Sequence, residues 1–192
     1  TVKCRIGIDQ QDSDEALARF VLPLAEAGCD AFILHARKAW LSGLDPKANR
    51  TVPPLDYDRV LRLKRRYPAL TICLNGGIRS LVAAAEFWPV LDGVMIGRAA
   101  IENPWLFAEA DSQWFLGENP PGGSRHAVVM DYLPYLRREM AAGESWSRLS
   151  RPLLPLFQGQ PGARWWRRHL STTHHDAGSK TVEEALALLG LA

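Results

Sequence analysis

The chain has 192 residues, 47% of them hydrophobic and 23% charged, with a formal net charge of +2. That balance excludes intrinsic disorder over most of its length and does not force polyanion binding on the chain as a whole. No apolar run is long enough to cross a bilayer. Three cysteines, Cys4, Cys29 and Cys73, share no metal-ligand spacing. Neither a disulfide scaffold nor a metal site is expected, and a cytoplasmic location fits.

The chain opens on Thr1 inside what already reads as a strand, residues 2–8. A domain rarely starts within its own sheet, so the expectation is a missing N-terminal part, removed or never encoded. Residues 13–27 follow with helical apolar spacing, Ser13 as N-cap and Gly28 as stop. Residues 30–35 read as a second strand, and a long connection runs to Pro54. A helix is predicted over 56–67, ended by Pro68, then a strand over 70–75 and a helix over 80–88. A fourth strand over 92–96 ends at Gly97, and a short helix starts at Ala99 or Asn103.

Strands alternating with helices predict βαβ units and a parallel sheet. Four units fill about 110 residues, and a closed eight-unit barrel takes roughly 250. The fold class expected is therefore α/β, half of a TIM (β/α)8 barrel. A doubly wound sheet is the rival, but its GxGxxG fingerprint after the first strand is absent. The Pro/Gly-rich segment 119–124 marks a linker, giving a half-barrel over 1–118 and a small all-α domain over 125–192. In the latter, helical stretches are predicted over 126–142, with Pro134 as a bend or boundary, 149–157, 164–170 and 182–189. The charge balance is −1 up to Ser124 and +3 beyond it, so the basic excess belongs to the helical tail.

Several residues at strand ends carry chemistry. The third strand ends in Asn75-Gly76-Gly77 and the fourth in Gly97-Arg98. Small residues in consecutive βα loops let backbone N–H groups approach an anion, and Arg98 adds a charged donor. Taken singly, each glycine motif is equally a plain turn. Lys3 either points into the barrel as an enclosed cation or reaches solvent at a frayed terminus, and Cys4 faces the opposite way. All three cysteines read as packing residues.

His35 opens a connection of nearly twenty residues, a length usually tied to function. His35 and Arg37 share one side if the strand continues, and Lys38, Lys47 and Arg50 make the loop basic, with Trp40 among them. It reads as a phosphate track or as a solvated loop. In Arg164-Trp165-Trp166-Arg167-Arg168 the arginines share a helix face. The two readings are an RNA-contacting surface and a core tryptophan pair beneath solvated arginines.

These segments resemble the tRNA-dihydrouridine synthases of the A type. The resemblance lies in Thr1-Val2-Lys3-Cys4-Arg5-Ile6-Gly7-Ile8-Asp9, His35-Ala36-Arg37-Lys38-Ala39-Trp40-Leu41 through Tyr57, Asn75-Gly76-Gly77-Ile78, Asp92 to Arg98, and Leu156 to Ser171. It covers nearly the whole chain and implies a flavin-dependent TIM (β/α)8 barrel followed by a helical tRNA-binding domain, with this chain the second half of the TIM (β/α)8 barrel plus that domain. In such an enzyme NADPH reduces FMN, the flavin passes hydride to C6 of a D-loop uridine (positions 20/20a), and a cysteine acid protonates C5.

Carried over by position, Lys3 would contact the flavin ring and His35 the FMN. Asn75, Gly76, Gly77, Gly97 and Arg98 would hold the phosphate end. Arg37, Lys47, Arg50, Arg164 and Arg167 would meet tRNA. The family's cysteine sits in an Asn-x-x-Cys-Pro loop that no cysteine here occupies, so no catalytic residue is assigned within this chain. The chain is expected to be inactive alone, and to pair with a missing N-terminal half or with a second copy. Two other functions stay open: a tRNA-binding remnant without activity, and another FMN-dependent TIM-barrel oxidoreductase acting on a small molecule.

Overall fold

A computed structural model describes residues 1–115, 117, 123–172 and 178–189. The chain divides into two compact units, residues 1–97 and 98–192. Of the Pro/Gly-rich segment marked as a linker, residues 119–122 lie outside the described residues.

The first unit alternates strand and helix: β1 (Val2–Arg5), α1 (Asp14–Glu26), β2 (Ala31–His35), α2 (Tyr57–Arg66), β3 (Thr71–Asn75), α3 (Leu81–Ala85) and β4 (Gly93–Met95). The strands form one parallel sheet in the order β1-β2-β3-β4. Helix starts follow the capping chemistry in the sequence. Ser13 accepts from Ala16 N, Asp56 from Arg59 N and Ser80 from Ala83 N, each cap contributing about 1 kcal/mol. Gly28, at φ 93°, ends α1 in a backbone conformation that a side chain disfavours.

The elements are shorter than their apolar patterns predict. β1 stops at Arg5 rather than residue 8, because Ile8 turns away to exchange backbone hydrogen bonds with Gln11. α3 ends at Ala85 rather than 88, and its continuation to Leu91 is a set of turns closed by Phe87.

The register fixes which side chains share a face. Lys3 pairs with Ile33 and Arg5 with His35; Ile33 pairs with Cys73 and His35 with Asn75; Asn75 pairs with Met95. Parallel partners point the same way and neighbours along a strand point oppositely. Phe32, Leu34, Ile72 and Leu74 therefore share the other face, and all four are fully buried. Covering each is worth about 1.5–3 kcal/mol. The apolar stripes of α1 (Leu17, Ala18, Val21) and α2 (Val60, Leu63) are buried too. The face holding Lys3, His35 and Asn75 is exposed or half-buried.

The second unit contains α4 (Arg98–Glu102), a 3-10 turn at Pro104–Phe107, α5 (Ala110–Trp114), α6 (Arg125–Ala141), α7 (Trp146–Ser150), α8 (Ala163–Thr172) and α9 (Ser179–Leu188). α6 runs through Pro134 without a break. The stretch 149–157, expected to be a helix, leaves helical form after Ser150 and continues as turns. Pro152 and Pro155 cannot donate to a helical ladder. Val129, Leu133, Leu136, Leu149, Phe157, Trp166, Leu170, Val182 and Leu186 are among the residues of this unit's core. Trp166 anchors it: its ring lies 4.7 Å from that of Phe157, and its Nε1 donates to Leu153 O at 2.8 Å.

Candidate functional site

The C-terminal ends of the strands bring together most of the residues singled out in the first unit. Lys3 is exposed on β1. His35 and Asn75 close β2 and β3 as direct register partners on the same face. Asn75 Nδ2 donates to Met95 O at 2.8 Å, which fixes the carboxamide across the β3–β4 step. Gly76 and Gly77 follow with φ of 112° and 74°, a region that favours glycine. A Cβ on Gly76 would lie 2.5 Å from His35 Cδ2, and one on Gly77 2.6 Å from Leu55 Cδ1. Only glycine lets this loop pass so close to the imidazole. Tyr57 Oη donates to Gly76 O at 2.7 Å. Burial, the leading influence, pushes its phenol above the ordinary range, so it stays a donor. A Cβ on Gly97 would meet nothing within 4 Å, so the backbone beyond β4 is open to approach. Arg98 is the first residue of α4 and exposed.

The connection over 36–54 is ordered. A 3-10 turn spans Ala48–Arg50, Asn49 exchanges hydrogen bonds with the Trp40 backbone, and Asp56 N donates to Ala36 O. Arg5 pins the whole loop, with Nη1 donating to Lys38 O at 3.0 Å and to Asn49 O at 2.7 Å. Burial first, then the charges of Arg50 and Arg37, pull its guanidinium below the ordinary arginine value. Three cations are thus gathered beside one loop. Arg37 turns Nη1 onto Thr51 O and Pro53 O, so that arm holds the loop's own backbone. Lys38 pairs with Asp12 at 2.7 Å. Lys47 and Arg50 are exposed.

Arg5, Tyr57 and Met95 escaped the sequence reading. The signal for Arg5 was there: it stands two residues after Lys3 in a strand, hence on the same face. Nothing in the sequence marks Tyr57 as the support of Gly76.

The thiols are packing groups. Burial pushes Cys4 up to about 11, with the Lys3 charge opposing. Burial, then the Asp92 charge, raises Cys73, whose Sγ would lie 2.8 Å from a Cβ on Gly93. Cys29 Sγ donates to Ala31 O at 3.4 Å. Among the described residues no cluster of His, Cys, Asp or Glu is arranged to hold a metal, and no helix is long and apolar enough to cross a membrane.

In the second unit Arg164 and Arg167 are exposed on α8, and the two tryptophans between them part company. Trp166 is core, whereas Trp165 is 38% exposed. The core reading therefore holds for Trp166 and not for Trp165, which lies at the surface beside the arginines.

The protein is thus of the α/β class: a parallel sheet carries an imidazole, a carboxamide and a glycine turn at its strand ends, with a lysine on the same face, and a helical unit follows in the chain. A model of the family described as dihydrouridine synthase (Dus) matches residues 1–189. The chain is 52% identical over 190 residues to a tRNA-dihydrouridine(20/20a) synthase of Vibrio cholerae, covering 97% of this chain and 58% of that protein. It is 53% identical over 192 residues to the protein of the same description from Yersinia pestis, covering 98% and 55%. The Escherichia coli K12 protein so described is 50% identical over 192 residues, again covering 98% and 55%. The chain belongs to the dihydrouridine synthase family, and it spans little more than half the length of these relatives.

Proposed function

We propose that this chain is the FMN-binding second half of a (β/α)8 barrel together with the RNA-binding helical domain of a tRNA-dihydrouridine synthase, acting on D-loop uridines 20/20a. The observation that carries the reading is the register: Lys3, His35 and Asn75 fall on one face, whereas the opposite face is closed by fully buried aliphatic and aromatic side chains. The uninterrupted strand order supports a barrel segment over a doubly wound sheet, which reverses its order at a switch point.

The residues present fit a flavin nucleotide. The glycine turn lets the loop close on His35, and the open backbone at Gly97 leaves room for an anion. FMN supplies hydride when reduced by NADPH. Lys3 places a positive charge where the ring would gain an electron pair, and an ammonium stabilises an anionic reduced ring. His35 and Asn75 orient the group from neighbouring strands. Gly76, Gly77, Gly97 and Arg98 receive its phosphate. The loop pinned by Arg5, with Lys47 and Arg50 on its exposed side, and Arg164 and Arg167 on α8 meet tRNA phosphates, with Arg37 nearer the base. The proton donor to C5 is not among Cys4, Cys29 and Cys73, so uridine reduction calls for a polypeptide carrying the Asn-x-x-Cys-Pro loop.

A titration with FMN, followed by flavin fluorescence, tests the reading. The wild-type chain should quench and bind FMN. Lys3→Ala should weaken binding of the reduced flavin more than the oxidised, because its charge serves the anionic ring. Equal binding by wild type and Lys3→Ala in both redox states would remove Lys3 from the site.

A further inference from the structure

Helix α8 presents a surface that neither the core nor the ion pairs of its unit account for. The Trp165 ring lies 4.8 Å from the His169 ring at an interplanar angle of 14°, a near-parallel stack one helical turn apart. With the imidazole against one face, the indole is still 38% exposed. Arg164, Arg167 and Arg168 are all exposed. α8 carries no acidic residue, and none of these three arginines forms an ion pair with a described residue. Along the helix, Arg164 and Arg168 form one row and Trp165 and His169 the row beside it. The two guanidinium groups start about 6 Å apart along the axis.

An indole left in water beside guanidinium groups that pair with no described carboxylate is a poor way to build a surface and a good way to hold a nucleic acid strand. Arginine takes the phosphates, and a flat aromatic face takes a base whatever its sequence. We propose that Trp165, backed by His169, is a stacking platform for an unpaired base of an RNA strand whose phosphates rest on Arg164 and Arg168. The identity of that RNA as tRNA rests on the function proposed above; the platform itself does not. The reading above assigned phosphate contacts to Arg164 and Arg167. The platform adds a base subsite on the next row of the helix and gives Arg168 a role.

The test measures binding of a short oligouridylate and of an unmodified tRNA transcript to the 192-residue chain, each over a range of salt. Trp165→Ala, Trp165→Phe and Arg168→Ala are compared with wild type, and thermal unfolding confirms that each variant folds. Trp165→Ala should weaken both ligands about tenfold without changing the slope of log Kd against log salt, and Trp165→Phe should recover most of that loss. Arg168→Ala should reduce the slope by about 0.7. Equal affinity of wild type and Trp165→Ala for the oligouridylate, or no binding of it by wild type, overturns the platform. If the oligouridylate depends on Trp165 but tRNA binds no better than it does, the platform stands and the tRNA reading falls. If tRNA binds tightly and Trp165→Ala changes neither ligand, the reverse holds.

Discussion

Helices α2 and α8 are each ten residues long and rich in arginine, and they use it in opposite ways. On α2, Arg62 donates to Asp14 with both Nε and Nη2, at 2.6 and 2.9 Å, and Arg59 Nε lies 3.4 Å from both Asp14 and Asp56. Lys64 joins Asp92 at 2.7 Å and caps the carbonyls of Pro68 and Leu70. These cations tie α2 to α1 and to the start of β3. On α8, Arg164, Arg167 and Arg168 have no such partners among the described residues. A basic helix face marks an anion site where its charges are left uncompensated, and composition alone does not distinguish that case from a clamp.

The contrast can be broken most forcefully at the tryptophan pair of α8. Trp166→Ala removes a fully buried ring and its hydrogen bond to Leu153 O, and should cost about 3–5 kcal/mol in the second unit. Trp165→Ala, one residue away, should shift the unfolding midpoint little. Urea denaturation followed by circular dichroism reads both, and comparable losses would mean that the two rings share one structural role.

A smaller effect separates the arginines. Arg167→Ala should lower the salt slope of tRNA binding by about 0.7–0.9 and weaken affinity several-fold at low salt. Arg62→Ala should leave that slope unchanged, because its charge is already satisfied by Asp14. A filter-binding series at several salt concentrations decides it, and a matching drop for Arg62→Ala would erase the distinction between the helices.

The smallest effect is in acid. The hydrogen bond from Arg62 holds the Asp14 carboxyl below its ordinary value, with burial opposing. A pKa lowered in the folded state means that the clamp contributes above the usual aspartate range, near 4. That contribution fades as pH falls through the lowered value. Asp14→Asn should therefore lose a little stability at neutral pH, and the gap from wild type should close in acid. A gap that persists at low pH would show that Asp14 acts by packing rather than by charge.

Much of the first unit was legible because its signals are local. Ser13, Asp56 and Ser80 start helices through bonds three residues away, and Gly28 ends one through its own backbone angle. The Asn75-Gly76-Gly77 turn was visible for the same reason. Elements were over-extended where tertiary bonds captured the chain, as at Ile8, or where prolines broke an apolar run, as after Ser150. Arg5 was passed over because its partners, Lys38 and Asn49, stand 33 and 44 residues away.

By itself the sequence determined the α/β alternation, the basic helical tail and the family resemblance, since periodicity, caps and motif spacing are properties of neighbours along the chain. Only the tertiary structure decided that Lys3, His35 and Asn75 share a face, that Arg5 braces the long loop, and that Trp166 is core while Trp165 meets solvent. Strand register and burial are set by residues distant in sequence, and a side chain's charge or ring is spent or left available according to what the fold brings against it.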